Sequence, residues 1–274
     1  MKVDMVEIDV SNWSLLSERL ASKSYVSPDG EWMMKFCLAS EKNDVAALEE
    51  EQEISGYVNS LGIPTPAAGG LVEVKGGGVG SLYQYIPGKK SLSRAISEDA
   101  SLLVPYMRKF RELGDLIHST PCERSRFVPI KDRMKAKLPL ATMYSEREKA
   151  RISDFLDAIP ECGSCLHGDF HPGNFIVSPS GVHAIDLGLF SYGDAIYDWA
   201  NWYFLSHYFA KYESVFHLDK ETLLKCWEES SRGIGYDEEQ VSILASFYSL
   251  NYIGIKPTVM NTLENNKKLN AFFR

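Results

Sequence analysis

The character of the chain changes near residue 87, and this change limits the folds that it can adopt. Up to that point short strand-like runs dominate, with one helical pattern over residues 43–61. Beyond it long helical patterns dominate, interrupted by two short strand-like runs within residues 165–187. The sequence therefore predicts an α+β fold with a small strand-rich lobe over residues 1–87 and a larger helical lobe over residues 88–274.

Turn residues mark where the predicted strands begin and end. Glycines dominate residues 75–80, and Ser, Pro and Gly form residues 178–181, so both segments are predicted to connect the strands of a hairpin. The strand-like runs of the first lobe are VEIDV, EWMMKF, GLVEV and GSLYQYI. The helical patterns of the second lobe cover residues 94–119, 129–138, 145–158, 196–213, 219–232 and 238–254.

The composition limits the classes of partner. The 274 residues carry a formal net charge of −8, whereas proteins that bind nucleic acid need clustered Lys and Arg to displace counterions. No apolar stretch reaches the ~18 residues of a membrane span. The five cysteines lack regular spacing and indicate a reducing compartment. We therefore expect a cytoplasmic protein with a small-molecule partner and with neither nucleic acid nor membrane as partner; the oligomeric state is not indicated.

The most informative stretch is LHGDFHPGNF at residues 166–175, followed by AIDLG at residues 184–188. Three oxygen-bearing side chains, Asp169, Asn174 and Asp186, stand at the ends of apolar runs. Phosphoryl transfer needs hard oxygen ligands for Mg²⁺ and one carboxylate that orients the attacking hydroxyl and takes its proton. Asp169 suits the second task, and the other two suit the first.

The spacing of these residues has a mechanical reason. Asp169 and Asn174 flank a Pro172-Gly173 turn that can fold a tight loop. The predicted hairpin after Asn174 can then return the chain so that Asp186 arrives beside it. We expect the three side chains to face one cavity.

The two motifs together closely resemble the signature of the aminoglycoside phosphotransferase and choline kinase superfamily. Its members look like protein kinases in which the catalytic-loop Arg is replaced, here by Gly168. The resemblance implies a bilobal protein-kinase-like fold that uses ATP and Mg²⁺. It implies Asp169 as the catalytic base, Asn174 and Asp186 as the magnesium ligands, and His167 as a residue that supports the loop.

The resemblance extends into the first lobe. Lys35 lies on a predicted strand where the family places the lysine that contacts the nucleotide phosphates. Its partner should be a glutamate of the following helix. Glu51 is the choice that we make, and Glu50 and Glu53 remain alternatives because the phase of the helix is uncertain by a residue.

Two further features of the first lobe bear on nucleotide binding. Gln84 and Ile86 match the connector whose backbone groups hydrogen-bond adenine in the family. The chain departs from the family in its phosphate loop, because residues 21–30 contain a single glycine. Nucleotide contacts in this region are therefore expected from the backbone and from Ser22, Ser24 or Ser27.

Several residues have competing interpretations. Asp194 and Asp198 resemble the acidic tail that follows the second metal ligand in the family, but the simpler interpretation is that Asp198 caps or braces a helix start. His167, Asp169 and His171 have the spacing of a transition-metal site, although that interpretation leaves Asn174 unexplained. His118 has the position of a helix-terminal residue that interacts with the helix dipole.

Taken together, the residues predict an ATP-dependent phosphotransferase that acts on a hydroxyl group of an aminoglycoside-, choline- or sugar-like small molecule. A catalytically silent nucleotide-binding module of the same fold is the alternative. The predicted site consists of Asp169 as base, Asn174 and Asp186 as metal ligands, and a nucleotide-binding set formed by Lys35, Glu51, Gln84 and Ile86.

Overall fold

The computed structural model describes residues 5–19, 22–38, 42–208, 216–254 and 259–273. The chain forms two compact units. The first comprises residues 1–90 and 176–188, and the second comprises residues 91–175 and 189–274. Residues 176–188, which follow the predicted metal ligand Asn174 in the sequence, thus pack with the N-terminal part of the chain.

Strands dominate the first unit and helices the second. The strands are β1 (Val6–Ile8), β2 (Ser14–Arg19), β3 (Ser22–Val26), β4 (Trp32–Leu38), β5 (Ala68–Val74), β6 (Gly78–Gln84), β7 (Lys90–Ser91), β8 (Ser164–Leu166), β9 (Phe175–Ser178), β10 (Gly181–Ala184) and β11 (Ser191–Gly193). The helices are α1 (Lys42–Ser60), α2 (Leu92–Glu98), α3 (Leu103–Ser119), α4 (Ile130–Lys137), α5 (Glu146–Ala158), α6 (Ile196–Tyr203), α7 (Lys220–Ser231), α8 (Glu238–Tyr248) and α9 (Val259–Leu269). The predicted α+β class is confirmed.

The sheet of the first unit has the strand order β1-β5-β6-β4-β3-β2. Strand β1 pairs parallel to β5, and the other neighbours are antiparallel. The predicted hairpin at residues 75–80 is confirmed: β5 and β6 are joined by a turn in which Gly76 and Gly77 have φ angles of 101° and 100°. Glycine suits both positions because it adopts positive φ at no steric cost.

Helix α1 is fixed to the sheet by the buried side chain of Gln52. Its Nε2 atom donates to Ser81 Oγ over 2.7 Å and to the Leu82 carbonyl over 2.9 Å, and its Oε1 atom accepts from the Gly70 amide over 3.2 Å. A buried amide whose donors and acceptor are bonded in this way sets the rotation of the helix, because another rotation would leave polar groups without partners. The neighbouring Glu51 therefore has a defined position.

The second unit is built around aromatic side chains on α3 and α6. Phe110 of α3 lies at ring-centroid distances of 4.4 Å from Phe170 and 6.1 Å from Trp202. Helix α3 also packs against α7, and α6 packs against α8. Burying large aromatic rings in a helical core in this way contributes much of the favourable free energy of folding.

The predicted helical pattern over residues 94–119 is divided in the structure. Ser91 caps α2 by accepting from the Arg94 amide, and Asp99 at the other end adopts an extended conformation with φ of −146°. The Asp99 carboxylate accepts from the Ser101 amide, which begins the turn before α3. Local side-chain hydrogen bonds of Asp thus outweigh the helical periodicity at this point.

Two other helix boundaries differ from the prediction. Helix α6 ends at Tyr203 and continues as a π-helical segment, Phe204–Tyr208, and residues 209–213 of the predicted pattern lie outside the described residues. Helix α8 ends at Tyr248 and is followed by the 3-10 segment Ser249–Tyr252. Helix α9 was not predicted from the sequence.

Two findings concern the environment of the protein. None of the five cysteines, all of which lie in the described ranges, forms a disulfide. Across the part of the chain that the structure describes, no helix has both the length and the apolar character that crossing a bilayer requires.

Candidate active site

A lysine and two carboxylates meet in the first unit. Lys35 Nζ on β4 lies 2.6 Å from Glu51 Oε1 on α1 and 2.8 Å from Asp186 Oδ1, which follows β10. The alternatives Glu50 and Glu53 are exposed, because the helix phase set by Gln52 turns them away from the sheet. The structure thus brings three of the predicted site residues together.

The electrostatics of this cluster favour a charged lysine. Burial by itself would lower the pKa of Lys35, but the charges of Asp186 and Glu51 outweigh it and raise the pKa above its ordinary value. A quarter of the Lys35 side chain and about half of the Asp186 side chain remain exposed, at 25% and 53%. The cluster therefore presents a permanent positive charge flanked by a partly exposed carboxylate.

Asp186 has an unusual backbone conformation. Its φ angle is 58°, in the left-handed region that residues other than glycine seldom adopt. Asp is among the residues that tolerate this region best, but the conformation still costs free energy. Residues held in such conformations concentrate at functional sites. The conformation directs the carboxylate toward Lys35.

The cluster lies in the wall of a cavity of about 680 Å³ within the first unit. Tyr83 of β6 lines the same cavity, and Lys35 Nζ is 5.5 Å from the centre of its ring. Lys89 is a second lysine in the wall; burial lowers its pKa, and the charge of Asp186 opposes that effect. Cavities of roughly 300–1,000 Å³ are typical of small-molecule and cofactor sites.

The connector residues predicted to contact adenine are placed beside this cavity but do not line it. Tyr83 and Tyr85 line the wall, whereas Gln84 and Ile86 do not. The Gln84 side chain is exposed. The backbone amide of Gln84 donates to the Ala67 carbonyl over 2.8 Å. The alternation of side chains along a strand explains why the two tyrosines point to the same side.

The serines predicted to replace a glycine-rich loop are placed differently from one another. Ser24 of β3 lines the cavity. Ser27 instead belongs to the β3–β4 turn, where its hydroxyl donates to the Asp29 carboxylate and accepts from the Trp32 amide over 2.9 Å. The Ser22 side chain and residues 20–21 lie outside the described part of the chain.

The second unit contains the loop that follows β8. Asp169 Oδ1 accepts hydrogen bonds from the Tyr252 hydroxyl at 2.7 Å and from Asn201 Nδ2 at 3.3 Å. Its other carboxylate oxygen, Oδ2, lies 3.7 Å from His171 Nε2. The Asp169 side chain is 20% exposed, so the carboxylate is largely enclosed but reaches the surface.

Asn174 is fixed to the backbone of the same loop. The predicted turn is confirmed as the 3-10 segment Pro172–Asn174, in which His171 Nδ1 accepts from the Gly173 amide. Asn174 Nδ2 donates to the Asp169 carbonyl over 3.0 Å. Because the amide nitrogen is committed to that carbonyl, Oδ1 is the atom that this side chain can present to a cation.

The buried carboxylate of Asp198 braces this loop. Its side chain is completely buried and accepts from the amides of His167 and Gly168 over 2.8 and 2.9 Å. His118 Nε2 lies 2.9 Å from the same carboxylate. Asp198 thus braces the loop and forms no side-chain cap on its own helix, whereas His118 stands, as predicted, in the last turn of α3. Both support the loop.

The packing of this loop explains why residue 168 is a glycine. Its φ angle is 81°, and a Cβ atom added at this position would stand 1.9 Å from the Leu189 carbonyl oxygen. A side chain at residue 168 would therefore force the backbone apart. The close approach explains why glycine occupies the position.

Tyr252 and Asn201 are site residues that the sequence did not identify. Tyr252 is buried, at 2% exposure, against Asp169. Asn201 is the one amide side chain of α6, and a polar side chain in a mostly apolar helix is the signal that could have indicated it.

The alternative of a transition-metal site is not supported by the arrangement. No three His, Cys, Asp or Glu side chains within the described ranges gather into a group that could hold a metal ion. His167 Nδ1 instead faces the Asp169 amide at 3.3 Å. The structure thus brings together Lys35, Glu51 and Asp186 in one unit and the Asp169–Asn174 loop in the other, and the convergence of the three predicted oxygen donors stays a prediction.

Comparison with known proteins identifies similar sequences and structures. The model of a phosphotransferase enzyme family, APH, matches residues 15–213. None of the curated proteins matches the chain in sequence. The structure is similar to the aminoglycoside phosphotransferase APH(3'')-Id from Streptomyces rimosus in complex with ADP and streptomycin, with a TM-score of 0.56 and 20% identity over 93% of each chain.

Two more solved structures are similar. The aminoglycoside phosphotransferase APH(4)-Ia matches with a TM-score of 0.64 and 14% identity, over 96% of this chain and 93% of that one. The amicoumacin kinase hAmiN, in complex with AMP-PNP, Ca²⁺ and amicoumacin, matches with a TM-score of 0.59 and 12% identity, over 96% and 89%. These likenesses confirm the predicted protein-kinase-like fold.

Proposed function

Because the chain belongs to the phosphotransferase enzyme family, we propose that it transfers the γ-phosphoryl group of ATP to a hydroxyl group of a small molecule. The observation that carries this proposal is the ion pairing of Lys35 with both Glu51 and Asp186 in the wall of a cavity of nucleotide size. Catalysis of phosphoryl transfer consists mainly of positioning and of stabilising charge, and such a cluster supplies both.

Nucleotide binding is assigned to residues 1–87. Lys35 contacts the inner phosphates, and Glu51 holds its ammonium group in place. The backbone of Gln84 and Ile86 in the connector hydrogen-bonds adenine. The arrangement of the connector supports this role, since Tyr83 and Tyr85, the sequence neighbours of Gln84, both line the cavity. The acceptor site and the catalytic loop are assigned to residues 88–274.

Asn174 and Asp186 are proposed to hold Mg²⁺. The donor set suits this ion, because Asp186 offers a half-exposed carboxylate and Asn174 offers its amide oxygen, and both are hard oxygen ligands. When bound, the ion neutralises negative charge on the phosphates.

Asp169 is proposed to orient the acceptor hydroxyl and to take its proton. Its Oδ1 atom accepts hydrogen bonds from Tyr252 and Asn201, which hold the carboxylate in one orientation. Positioning the hydroxyl in line with the phosphorus is worth more to the rate than the strength of the base alone.

The proposed acceptors are aminoglycoside-like, choline-like or sugar-like compounds. The net charge of −8 favours acceptors that carry amino groups. Streptomycin and amicoumacin are bound in two of the similar structures, which supports the same class here. Five cysteines without a disulfide support a reducing, cytoplasmic location.

A panel assay tests the proposal. ADP release is measured with ATP and Mg²⁺ in the presence of amino sugars, amino alcohols, sugars and nucleosides, one at a time. We expect at least one acceptor class to stimulate ADP release, and the stimulation to disappear in the Asp169→Asn variant. ATP binding without stimulation by any acceptor would instead indicate a catalytically silent nucleotide-binding module.

A further inference from the structure

Two tyrosines one helical turn apart contact consecutive residues of the proposed catalytic loop. The Tyr248 hydroxyl, at the end of α8, donates to the Gly168 carbonyl over 2.9 Å. The Tyr252 hydroxyl, at the end of the following 3-10 segment, donates to Asp169 Oδ1 over 2.7 Å. Both side chains are buried, at 0% and 2% exposure. The C-terminal helices thus contact both the backbone of the loop and its carboxylate.

The Tyr252 hydroxyl is a committed donor. Burial, followed by the charge of Asp169, raises its pKa well above the ordinary value and so favours the protonated phenol. The hydroxyl also lies 2.9 Å from Asn201 Oδ1. It has one proton to share between two acceptors, and the charged carboxylate is the stronger acceptor.

Asn201 is the second hydrogen-bond donor to the same oxygen of Asp169. Its Nδ2 atom donates to Asp169 Oδ1 over 3.3 Å while its Oδ1 atom faces the Tyr252 hydroxyl. Asn201 is completely buried, so its side chain has no room for another rotamer without losing these bonds. Two donors therefore hold the same oxygen of Asp169 and fix the rotation of the carboxylate.

We propose that Tyr252 is a positioning residue, which holds Asp169 Oδ1 and so fixes the orientation in which the carboxylate meets the acceptor hydroxyl. This inference rests on the proposed function, because it assigns a role to Tyr252 through Asp169. A carboxylate fixed in one orientation meets the acceptor hydroxyl in a defined geometry, and such positioning contributes to the rate.

Other polar groups surround the same carboxylate. His171 Nε2 lies 3.7 Å from Oδ2. Asp198 acts on the loop through the amides of His167 and Gly168 rather than on Asp169 directly. Tyr248 binds the backbone at Gly168. Of these groups, Tyr252 and Asn201 are the ones that donate to Oδ1.

Paired Tyr→Phe variants test the role of the hydroxyl. Tyr252→Phe removes the donor to Asp169, whereas Tyr197→Phe removes a hydroxyl that is equally buried, at 1% exposure, and that has no hydrogen-bond partner among the described residues. With the acceptor that gives the highest turnover, we expect Tyr252→Phe to lower kcat about tenfold to a hundredfold with an unchanged KM for ATP. Tyr197→Phe should leave both kcat and the KM for ATP unchanged.

A second measurement does not depend on turnover. In protein labelled with ¹³C at the aspartate carboxyl carbons, the Asp169 resonance is assigned by its loss in Asp169→Asn. At one fixed pH its chemical shift should differ from wild type in Tyr252→Phe, because the hydrogen bond to Oδ1 is lost, and should be unchanged in Tyr197→Phe. Equal chemical shifts in all three proteins would overturn the inference, as would a kcat of Tyr252→Phe equal to wild type. A wild-type protein that no acceptor stimulates would refute the proposed function while the chemical shift still decides whether Tyr252 acts on Asp169.

Discussion

Lys35 Nζ lies 2.8 Å from Asp186 Oδ1, although 151 positions separate the two residues in the chain. The pair connects β4 of the sheet with the residue that follows β10, and Glu51 completes it from α1 at 2.6 Å. In the proposed site this lysine faces the phosphates and this aspartate faces the metal ion, so the ion pair holds both in the orientation that nucleotide binding requires.

Lys35→Met should weaken nucleotide binding. The variant removes the cation and leaves the Glu51 and Asp186 carboxylates facing each other, so we expect the KM for ATP to rise on the order of tenfold, equivalent to about 1.4 kcal/mol. Isothermal titration with ATP and Mg²⁺ measures the same loss as an increase in Kd. Lys75→Met is the matched control, because Lys75 forms an exposed ion pair with Asp9 at 3.2 Å and should bind ATP as wild type does. An unchanged Kd in Lys35→Met would contradict the assignment.

Asp198→Asn should destabilise the protein. The Asp198 carboxylate has three nitrogen partners, namely the His167 amide, the Gly168 amide and His118 Nε2. In the asparagine variant an NH₂ group replaces one carboxylate oxygen and faces a nitrogen donor, so at least one of these hydrogen bonds is lost. Because the site is completely buried, we expect a loss of about 3 kcal/mol in the free energy of unfolding. Urea denaturation monitored by circular dichroism provides the measurement.

Asp219→Asn serves as the comparison for that variant. Asp219 caps α7 by accepting from the Thr222 amide at the surface, and asparagine caps helices about as well as aspartate. Its unfolding free energy should remain within about 0.5 kcal/mol of wild type. Equal stability of the two variants would show that Asp198 does not brace the loop.

Gly168→Ala separates steric contact from backbone strain. Gly168 and Gly235 share a φ angle of 81°, but a Cβ atom would meet the Leu189 carbonyl oxygen at 1.9 Å in the first case and would have no neighbour within 4 Å in the second. Gly235→Ala should therefore cost only the strain of a left-handed residue, about 1–2 kcal/mol. Gly168→Ala should cost at least about 3 kcal/mol, since the loop must also move. Thermal and urea unfolding of the two variants measure the difference, and equal losses would refute the steric explanation.

The turn that joins Asp169 and Asn174 could be predicted because it is local in the sequence. Asp169, Asn174 and the intervening turn occur within six consecutive positions, and Pro172-Gly173 determines the turn. The pairing of Lys35 with Glu51 was harder, because several glutamates of α1 were equivalent in the sequence. The buried bonds of Gln52 to the sheet select one of them, and such tertiary contacts are not visible in periodicity.

The supporting residues could not be predicted for a related reason. Tyr252 is 83 positions from Asp169, and His118 is 80 positions from Asp198, so only the folded core brings them together. Strand β2 was missed because its side chains do not alternate between apolar and polar; Leu15 and Leu16 are adjacent and both exposed. Local sequence patterns therefore indicate the candidate reacting groups better than the residues that position them through contacts between distant parts of the chain.

The turnover of Asp169→Asn, measured at saturating ATP with the best acceptor of the panel, tests the central claim most directly. Asparagine keeps the size of the side chain but cannot take the proton of the acceptor hydroxyl. We predict that kcat falls about 10²–10⁴-fold while the Kd for ATP and the unfolding midpoint stay at wild-type values. Wild-type kcat in this variant, with acceptor-dependent ADP release intact, would contradict the proposed role of Asp169 and the mechanism built on it.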